Sequence, residues 1–314
     1  MGYLPLRIST VPPDRQLTFD LYINFKEQYL KLADSGSAID HEKLEKLKSQ
    51  NVARFYIVEE DSMAYQKFVD DAVNDTIDDP NIPLDEKVEL VEGVAETAAE
   101  EMQKNPENQT NFIRSQKAAN NLVHIIQENP AALKKIYGKK AAKSEEIIQH
   151  SLNVCALATK LATLLQHSKQ DVDDLGTAAL IHDVGLNKLA KKDHGLFKKL
   201  KNEFNSDEKR AYNLHANDSA DMLAEKPYVN HNVCELIRNH EENLKGTGPN
   251  KKKKLTQLEE ILALVNAYDK RLLNTADATP SEVLKRMQID EMGSYSLNLM
   301  NKFMEVLKSE GLVE

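Results

Sequence analysis

Four of the chain's nine histidines, His150, His182, His215 and His240, fall on helical rows that face inward, and an aspartate, Asp183, directly follows the second. The strongest local signal is the stretch Ala178-Ala179-Leu180-Ile181-His182-Asp183-Val184-Gly185-Leu186-Asn187-Lys188. It reads as the end of an apolar helix that delivers an adjacent His-Asp pair and breaks at Gly185. His182 continues the row Val172, Leu175, Ala179, so its imidazole points into the core. Asp183 follows at the C-terminal end, where the negative pole of the helix dipole disfavours a carboxylate. Burying even a neutral polar group without a partner costs roughly 2–7 kcal/mol, and a divalent cation would offset that cost. Taken alone, the pair reads as a local hydrogen-bonded couple; the other three histidines change the balance.

Those residues need helices to carry them, and from Thr110 onward the sequence reads as helix with short polar breaks. Ser144 caps a long helix that is apolar on most of its circumference, and His150 opens its row Val154, Leu157, Leu161, Leu164. Ser168 and Asp171 begin the helix that ends in the His-Asp pair. Ser206 caps the helix carrying His215. The next helix runs through Val233, Leu236 and Ile237 to Asn239-His240-Glu241. A turn, Lys245-Gly246-Thr247-Gly248-Pro249, and four lysines, Lys251 to Lys254, follow it. The following inward row is Leu258, Leu262, Val265/Asn266 and Asp269. Its two polar members are out of place unless a polar site lies there. Two further helices, from near Pro280-Ser281 and Tyr295, close the chain.

The front of the chain is different. Leu17, Phe19, Leu21, Ile23 and Phe25 alternate with polar residues, which predicts a strand. Tyr3–Ser9 and Gln28–Leu32 are expected to pair with it, the first through the Pro12-Pro13-Asp14 turn. Asp40 caps a short helix, Phe55 to Val58 is a further strand, and Asp61 opens a helix with Tyr65, Phe68, Val69 and Val73 inward. The predicted fold is mainly α: an all-helical bundle preceded by a small α/β domain. The expected boundaries are residues 1–79 for the α/β domain, with a sensing or partner-binding role, 80–108 for an acidic helical connector, and 109–314 for the helical domain. Asp78-Asp79-Pro80 stops the preceding helix.

Bulk numbers narrow the function classes. The chain has 314 residues, 41% of them hydrophobic and 29% charged. No window reaches 18 consecutive apolar residues, so membrane insertion is not expected. The N-terminus lacks a signal-peptide pattern, and Cys155 and Cys234 have no CxxC spacing, so reduced core thiols and a cytoplasmic location are expected. The net charge of −9 hides an asymmetry. Residues 59–108 hold 16 acidic and 3 basic residues, a net of −13, while residues 109–254 hold 24 basic and 17 acidic, a net of +7. Positive potential around the histidines favours an anionic ligand; the acidic segment offers an internal match equally well. After Gly185, Lys188, Lys191, Lys192, Lys198, Lys199 and Lys201 face only Asp193 in the sequence. Basic residues are neither interleaved with aromatics nor gathered on one recognition helix, so DNA binding is not expected.

Imidazole and carboxylate together suit iron, manganese or zinc. Five ligands exceed one tetrahedral zinc and fit two metals that share Asp183. Such pairs serve in-line attack on a phosphoryl centre. The order of a helix His, then His-Asp, then two later His-bearing helices resembles the HD phosphohydrolases. With Asn239-His240-Glu241 and Gly246-Thr247-Gly248-Pro249 it is similar to the HD-GYP subfamily, over roughly residues 140–290. The resemblance implies a phosphodiesterase acting on or recognising cyclic di-GMP or a related nucleotide at a binuclear centre, iron first and manganese next. It implies His150, His182, Asp183, His215 and His240 as metal ligands, with Asn266 where the family has an aspartate. It further implies Asp183 and His182 as catalytic and Lys188, Gly246 and Gly248 as substrate-binding. Other positions depart from the pattern. Asn239 stands for a histidine, Leu186 for a lysine and Lys245 for an aspartate, and neither the tyrosine of the Gly-Tyr-Pro signature nor the Arg-Pro-Tyr-Arg stretch is present. These departures support the alternative of a catalytically degenerate module that keeps metal and acts as a nucleotide sensor or protein-interaction regulator. A third reading has no metal, with the histidines satisfied in the core.

Overall fold

Strands form where the alternation predicts them, but they are shorter and paired differently. Four strands, β1 (Tyr3–Arg7), β2 (Leu21–Phe25), β3 (Gln28–Ala33) and β4 (Arg54–Val58), make one antiparallel sheet in the order β1-β4-β2-β3. The expectation that Tyr3–Ser9 pairs with the Leu17–Phe25 strand is wrong. β1 lies against β4, with Tyr3 opposite Val58 and Arg7 opposite Arg54, and Gln28–Ala33 alone takes the hairpin position on β2. Leu17 is not in the ladder because its backbone bonds to Ser37 O and Gly36 N. Its side chain and that of Phe19 are nonetheless buried, which is why the alternation extends beyond the strand. α1 (His41–Ser49) starts at Asp40, whose carboxylate accepts from Lys43 N. α2 (Ser62–Ile77) puts Tyr65 and Phe68 edge-on to Phe19, with ring centroids 5.7 and 5.3 Å apart.

We describe the chain from a computed structural model covering residues 2–137, 146–200, 203–275 and 278–314. Two units emerge, Met1–Thr97 and Ala98–Glu314. The division falls inside α3 (Leu84–Lys104), the acidic helix.

The second unit is helical. It contains α4 (Gln109–Glu128), α5 (Ala132–Ile136), α6 (Glu146–Leu164), α7 (Lys169–Ile181), α8 (Ser206–Leu223), α9 (His231–Asn239), α10 (Gln257–Leu273), α11 (Pro280–Asp290) and α12 (Leu297–Ser309). Short 3₁₀ turns at Val184–Lys188 and Lys191–Lys198 link α7 to α8. α6 is the central element: almost all of its side chains from Ile148 to Ala162 are buried, and it packs on α7, α10, α5, α4 and α12. The expected cap at Ser144 lies outside the described residues. Ser168 caps α7 by accepting from Asp171 N. α8 is capped by Asn205, not Ser206: Asn205 accepts from Asp207 N and Glu208 N, and Glu208 returns a bond to Asn205 N. Reciprocal satisfaction of two orphan amides makes the earlier residue the better cap. Thr256 with Glu259, and Thr279 with Glu282, start α10 and α11 in the same way.

Among the described residues no helix is long and apolar enough to cross a membrane. Cys155 and Cys234 are free and buried, and burial pushes the Cys155 thiol up to about 12.

Candidate metal centre

Three helix ends and one helix middle deliver imidazoles to one point. His182 is the C-cap residue of α7 and His240 that of α9; His215 lies within α8, and His150 in the first turns of α6. All four are fully buried, as is Asp183. Their ring nitrogens are sorted by local bonds. His182 Nδ1 lies 2.7 Å from Ala179 O and His240 Nδ1 2.6 Å from Ile237 O, and His215 Nδ1 contacts Tyr212 O. A carbonyl oxygen only accepts, so each of these Nδ1 atoms carries the proton and donates it. In the neutral ring Nε2 then presents a lone pair, and the three Nε2 atoms lie near Asp183.

The distances describe two triads that share one carboxylate. Asp183 Oδ1 is 3.2 Å from His215 Nε2 and 3.5 Å from His240 Nε2. Asp183 Oδ2 is 3.4 Å from His182 Nε2 and 3.8 Å from His150 Nε2. His150, His182 and Asp183 form one group able to hold a metal ion, and Asp183, His215 and His240 the other. The polar atoms fit cations and fit each other poorly. His215 Nε2 and His240 Nε2, both acceptors in the neutral rings, lie 3.0 Å apart, and Asp183 Oδ1 has no hydrogen-bond donor in good geometry. A cation on each side of Asp183 would remove both conflicts.

His150 is held differently. Its Nδ1 is 2.7 Å from Asp269 Oδ2, and its Nε2 is 2.9 Å from Asn266 Oδ1 and 3.3 Å from His182 Nε2. The Asn266 amide is oriented by donating to His240 O (3.4 Å) and Glu241 Oε1 (3.3 Å). His150 thus sits between two oxygen acceptors, which favours the doubly protonated ring. Burial works against that charge, but the Asp269 bond and the fields of Asp269 and Asp183 outweigh it, and the pKa of His150 is raised. Burial pushes His182 the other way, down to about 3, so it is neutral. Burial also opposes charge on Asp183, yet the surrounding imidazoles more than compensate and its pKa falls well below the usual carboxylate range.

Asn266 is therefore at the centre, as is Asp183. Lys188 is not: it ends the 3₁₀ turn after Asp183, is exposed, and its field acts on Glu107. Gly185 must be small, since an added Cβ would lie 2.2 Å from His215 O and 2.7 Å from Ser219 N; its amide donates to Ser219 Oγ at 2.8 Å. Gly248 lies against the Glu241-Glu242 segment, where a Cβ would meet Glu242 Oε2 at 2.5 Å. Gly246 bonds to Asn243 O in the turn. Asn239 is turned away, donating to Glu259 Oε1 at 2.8 Å.

Glu241 was not singled out from sequence. Its Oε1 is 3.9 Å from His215 Nε2 and 4.0 Å from His240 Nε2, and accepts from Tyr212 OH at 3.3 Å. The only hint was its place beside His240. Lys198 and Lys199, read as part of an uncompensated basic patch, are paired with Glu146 and Glu208. The patch looked uncompensated because those carboxylates lie elsewhere in the sequence. Lys201 and the side chains of Lys191 and Lys192 lie outside the described residues.

A family model described as HD domain matches residues 120–293. Among solved structures, the chain is similar to "Bd1817, a HDG"Y"P protein from Bdellovibrio bacteriovorus", with a TM-score of 0.76 and 24% sequence identity over 98% of this chain and 100% of that one. At this identity the likeness is one of fold. It covers both the helical bundle and the small α/β unit ahead of it. No curated protein matches the chain.

Proposed function

The chain belongs to the HD domain family, and from that premise we propose that it is a metal-dependent phosphohydrolase of the HD-GYP type, acting on cyclic di-GMP or a related nucleotide. One observation carries this reading: two His/His/Asp triads, wholly buried, share Asp183, and the outer nitrogens of their histidines are tied off. His150, His182 and Asp183 would hold one divalent ion, and Asp183, His215 and His240 the other, with Asn266 and Glu241 beside them. Ions held there would supply Lewis acidity toward a phosphoryl oxygen and toward the attacking water. Iron is the first expectation and manganese the second, as the resemblance to HD-GYP proteins implies; the nitrogen and oxygen donor set is compatible with both.

The protein's own groups do the rest. Asp183 keeps a negative charge between the triads. Ala179, Tyr212 and Ile237 carbonyls hold the Nδ1 sides of three imidazoles, so that Nε2 is the nitrogen turned toward Asp183. Asp269 aligns His150 and is itself held by Asn153 Nδ2 at 3.0 Å. Tyr212 OH and Asn266 Nδ2 aim the Glu241 carboxylate inward.

The test is chromatographic. Protein supplied anaerobically with Fe²⁺ or Mn²⁺ and given cyclic di-GMP should yield the linear dinucleotide or mononucleotides. Intact substrate after full metal loading would overturn the catalytic reading. A second reading is supported by Asn239, which faces Glu259, and by Asn266, which brings no charge: a module that keeps metal and recognises a nucleotide or a protein without turnover. It predicts binding without product. In either reading the first unit serves sensing or partner binding; it holds a cavity of about 470 Å³ with Val11, Leu44 and Leu90 on its walls and Arg15, Lys48 and Glu89 among its charges.

A further inference from the structure

We propose that the outer edge of β3 pairs with the same edge of a second copy of this chain, joining two four-stranded sheets across a two-fold axis at Leu30. The inference uses only the first unit and is independent of the phosphodiester reading. The sheet has two edges, β1 and β3, and they differ. β1 carries Pro5, whose nitrogen has no hydrogen to donate, and it is half-buried to buried along its length. β3 is exposed from Gln28 to Lys31, and among the described residues its strand neighbour is β2 alone. Phe25, Leu30 and Tyr29, which are 58%, 46% and 37% exposed, stand on this one hairpin. An exposed apolar edge with open backbone groups is a template for another strand.

The hairpin fixes which groups are open. Lys26 and Glu27 form its two-residue turn, with φ of 48° and 64°, the conformation that matches the twist of the flanking strands. Phe25 lies opposite Gln28, and Ile23 opposite Leu30. The pair that closes such a turn exchanges both backbone bonds, and bonded pairs alternate from there. Gln28 and Leu30 therefore bond to β2, while Tyr29 and Lys31 turn their N–H and C=O groups outward. Farther along, Lys43 Nζ reaches Leu32 O at 3.4 Å and occupies that end. The side chains leave the edge clear. Tyr29 leans over the sheet onto Tyr3, with ring centroids 3.9 Å apart, and Lys31 bonds to Asp20 (2.6 Å) and Asp34 (3.2 Å).

Outward-facing residues must meet each other in the bonded pairs, which leaves antiparallel registers centred on Lys31, Tyr29 or Leu30. Centring on Lys31 opposes two lysines, which is unfavourable. Centring on Tyr29 sets Lys31 against Glu27 of the turn, where the ladder cannot continue. Centring on Leu30 places each Tyr29 against Lys31 of the other copy, and both pairs exchange two backbone bonds. Leu30 then meets its own copy on the axis, beside Ile23 and Phe25, which share its face of the sheet. The edge complements itself in this register: leucine faces leucine, lysine faces tyrosine, and no like charges are opposed. That self-complementarity is why the fitting occupant is a second copy.

Sedimentation velocity and cysteine cross-linking of the full-length protein test both the pairing and its register. Over a concentration series the wild type should reach twice the mass of one chain. Leu30→Glu, which opposes two carboxylates on the axis, should keep one chain's mass throughout with an unchanged circular dichroism spectrum, and Leu30→Val should still dimerise. Under mild oxidation Leu30→Cys should give a disulfide-linked dimer, because a non-hydrogen-bonded pair sets its Cα atoms about 4.5 Å apart. Gln28→Cys should give none, since it lies four residues from its copy along the ladder, roughly 14 Å. The native Cys155 and Cys234 are buried, so the wild type should stay unlinked. A wild type that remains monomeric overturns the proposal and leaves the edge to a foreign strand. So does a dimer that persists in Leu30→Glu, a Leu30→Cys variant that fails to cross-link, or equal cross-linking through Gln28→Cys. Should Leu30→Glu unfold, the two cysteine variants decide.

Discussion

Asp183 is the single residue common to both triads, and its replacement has a distinctive expected result. Asp183→Asn keeps the shape but removes the charge between four imidazoles. Each histidine belongs to one triad: His150 and His182 to the first, His215 and His240 to the second. Elemental analysis of protein purified without chelator should therefore give about two metals per chain for the wild type, about one for His150→Ala or His215→Ala, and none for Asp183→Asn. The same logic sets a thermal readout. A ligand at 1,000 times its Kd stabilises the folded state by about 4 kcal/mol. The unit Ala98–Glu314 is in the size class where about 1 kcal/mol moves Tm by about 2–4 °C. Filling one site at that excess should raise Tm by about 8–16 °C, and chelation should reverse it. Asp183→Asn should melt at one temperature with or without Mn²⁺. Two metals retained in Asp183→Asn, or a wild-type melting curve indifferent to chelator, would refute the shared-carboxylate reasoning.

Gly185→Ala should cost about 1–3 kcal/mol, the usual penalty of overpacking, because the new methyl strikes the α8 backbone at His215 and Ser219; denaturant titration measures it, with metal content falling in parallel. His182 gives the metal-free protein a pH dependence. Its folded pKa of about 3 lies below the unfolded value of about 6.5, so the unfolded chain binds more protons between those values and stability falls as pH falls through that window. Urea titrations of the chelated protein should show this fall, and His182→Gln should lack it. His150, with its raised pKa and two acceptor neighbours, should lose a proton when metal enters; calorimetry near neutral pH in buffers of different ionisation enthalpy should show about one proton fewer released by His150→Ala. Asn266→Asp places a carboxylate 2.9 Å from His150 Nε2 and should tighten metal binding about tenfold or more in competition with a chromophoric chelator.

The helical half of the chain was legible because its helices announce both ends and inner face. Ser168 caps where a cap residue precedes an apolar row, and Asn266 and Asp269 stood out as polar residues on such a row. What the sequence withheld is contact between distant segments. Asp269 holds His150 across 119 residues, and no periodicity encodes that bond. Period-two alternation says which residues share a face, not which strand is the neighbour, so β1 was assigned to β2 when it pairs with β4. Glu241 was hidden because a glutamate beside a helix end is ordinarily solvated, and only the approach of Tyr212 and Asn266 from other helices turns it inward.

Three of the four imidazoles take their orientation from a carbonyl three residues earlier in their own helix: Ala179 for His182, Tyr212 for His215 and Ile237 for His240. The aiming device travels with the histidine. A lineage can then rewrite the residues around the centre without disturbing the angle at which those rings are presented. His150 has no such insurance. It relies on Asp269 from α10, so drift toward a silent descendant should start there, emptying the first triad while the second still holds its ion.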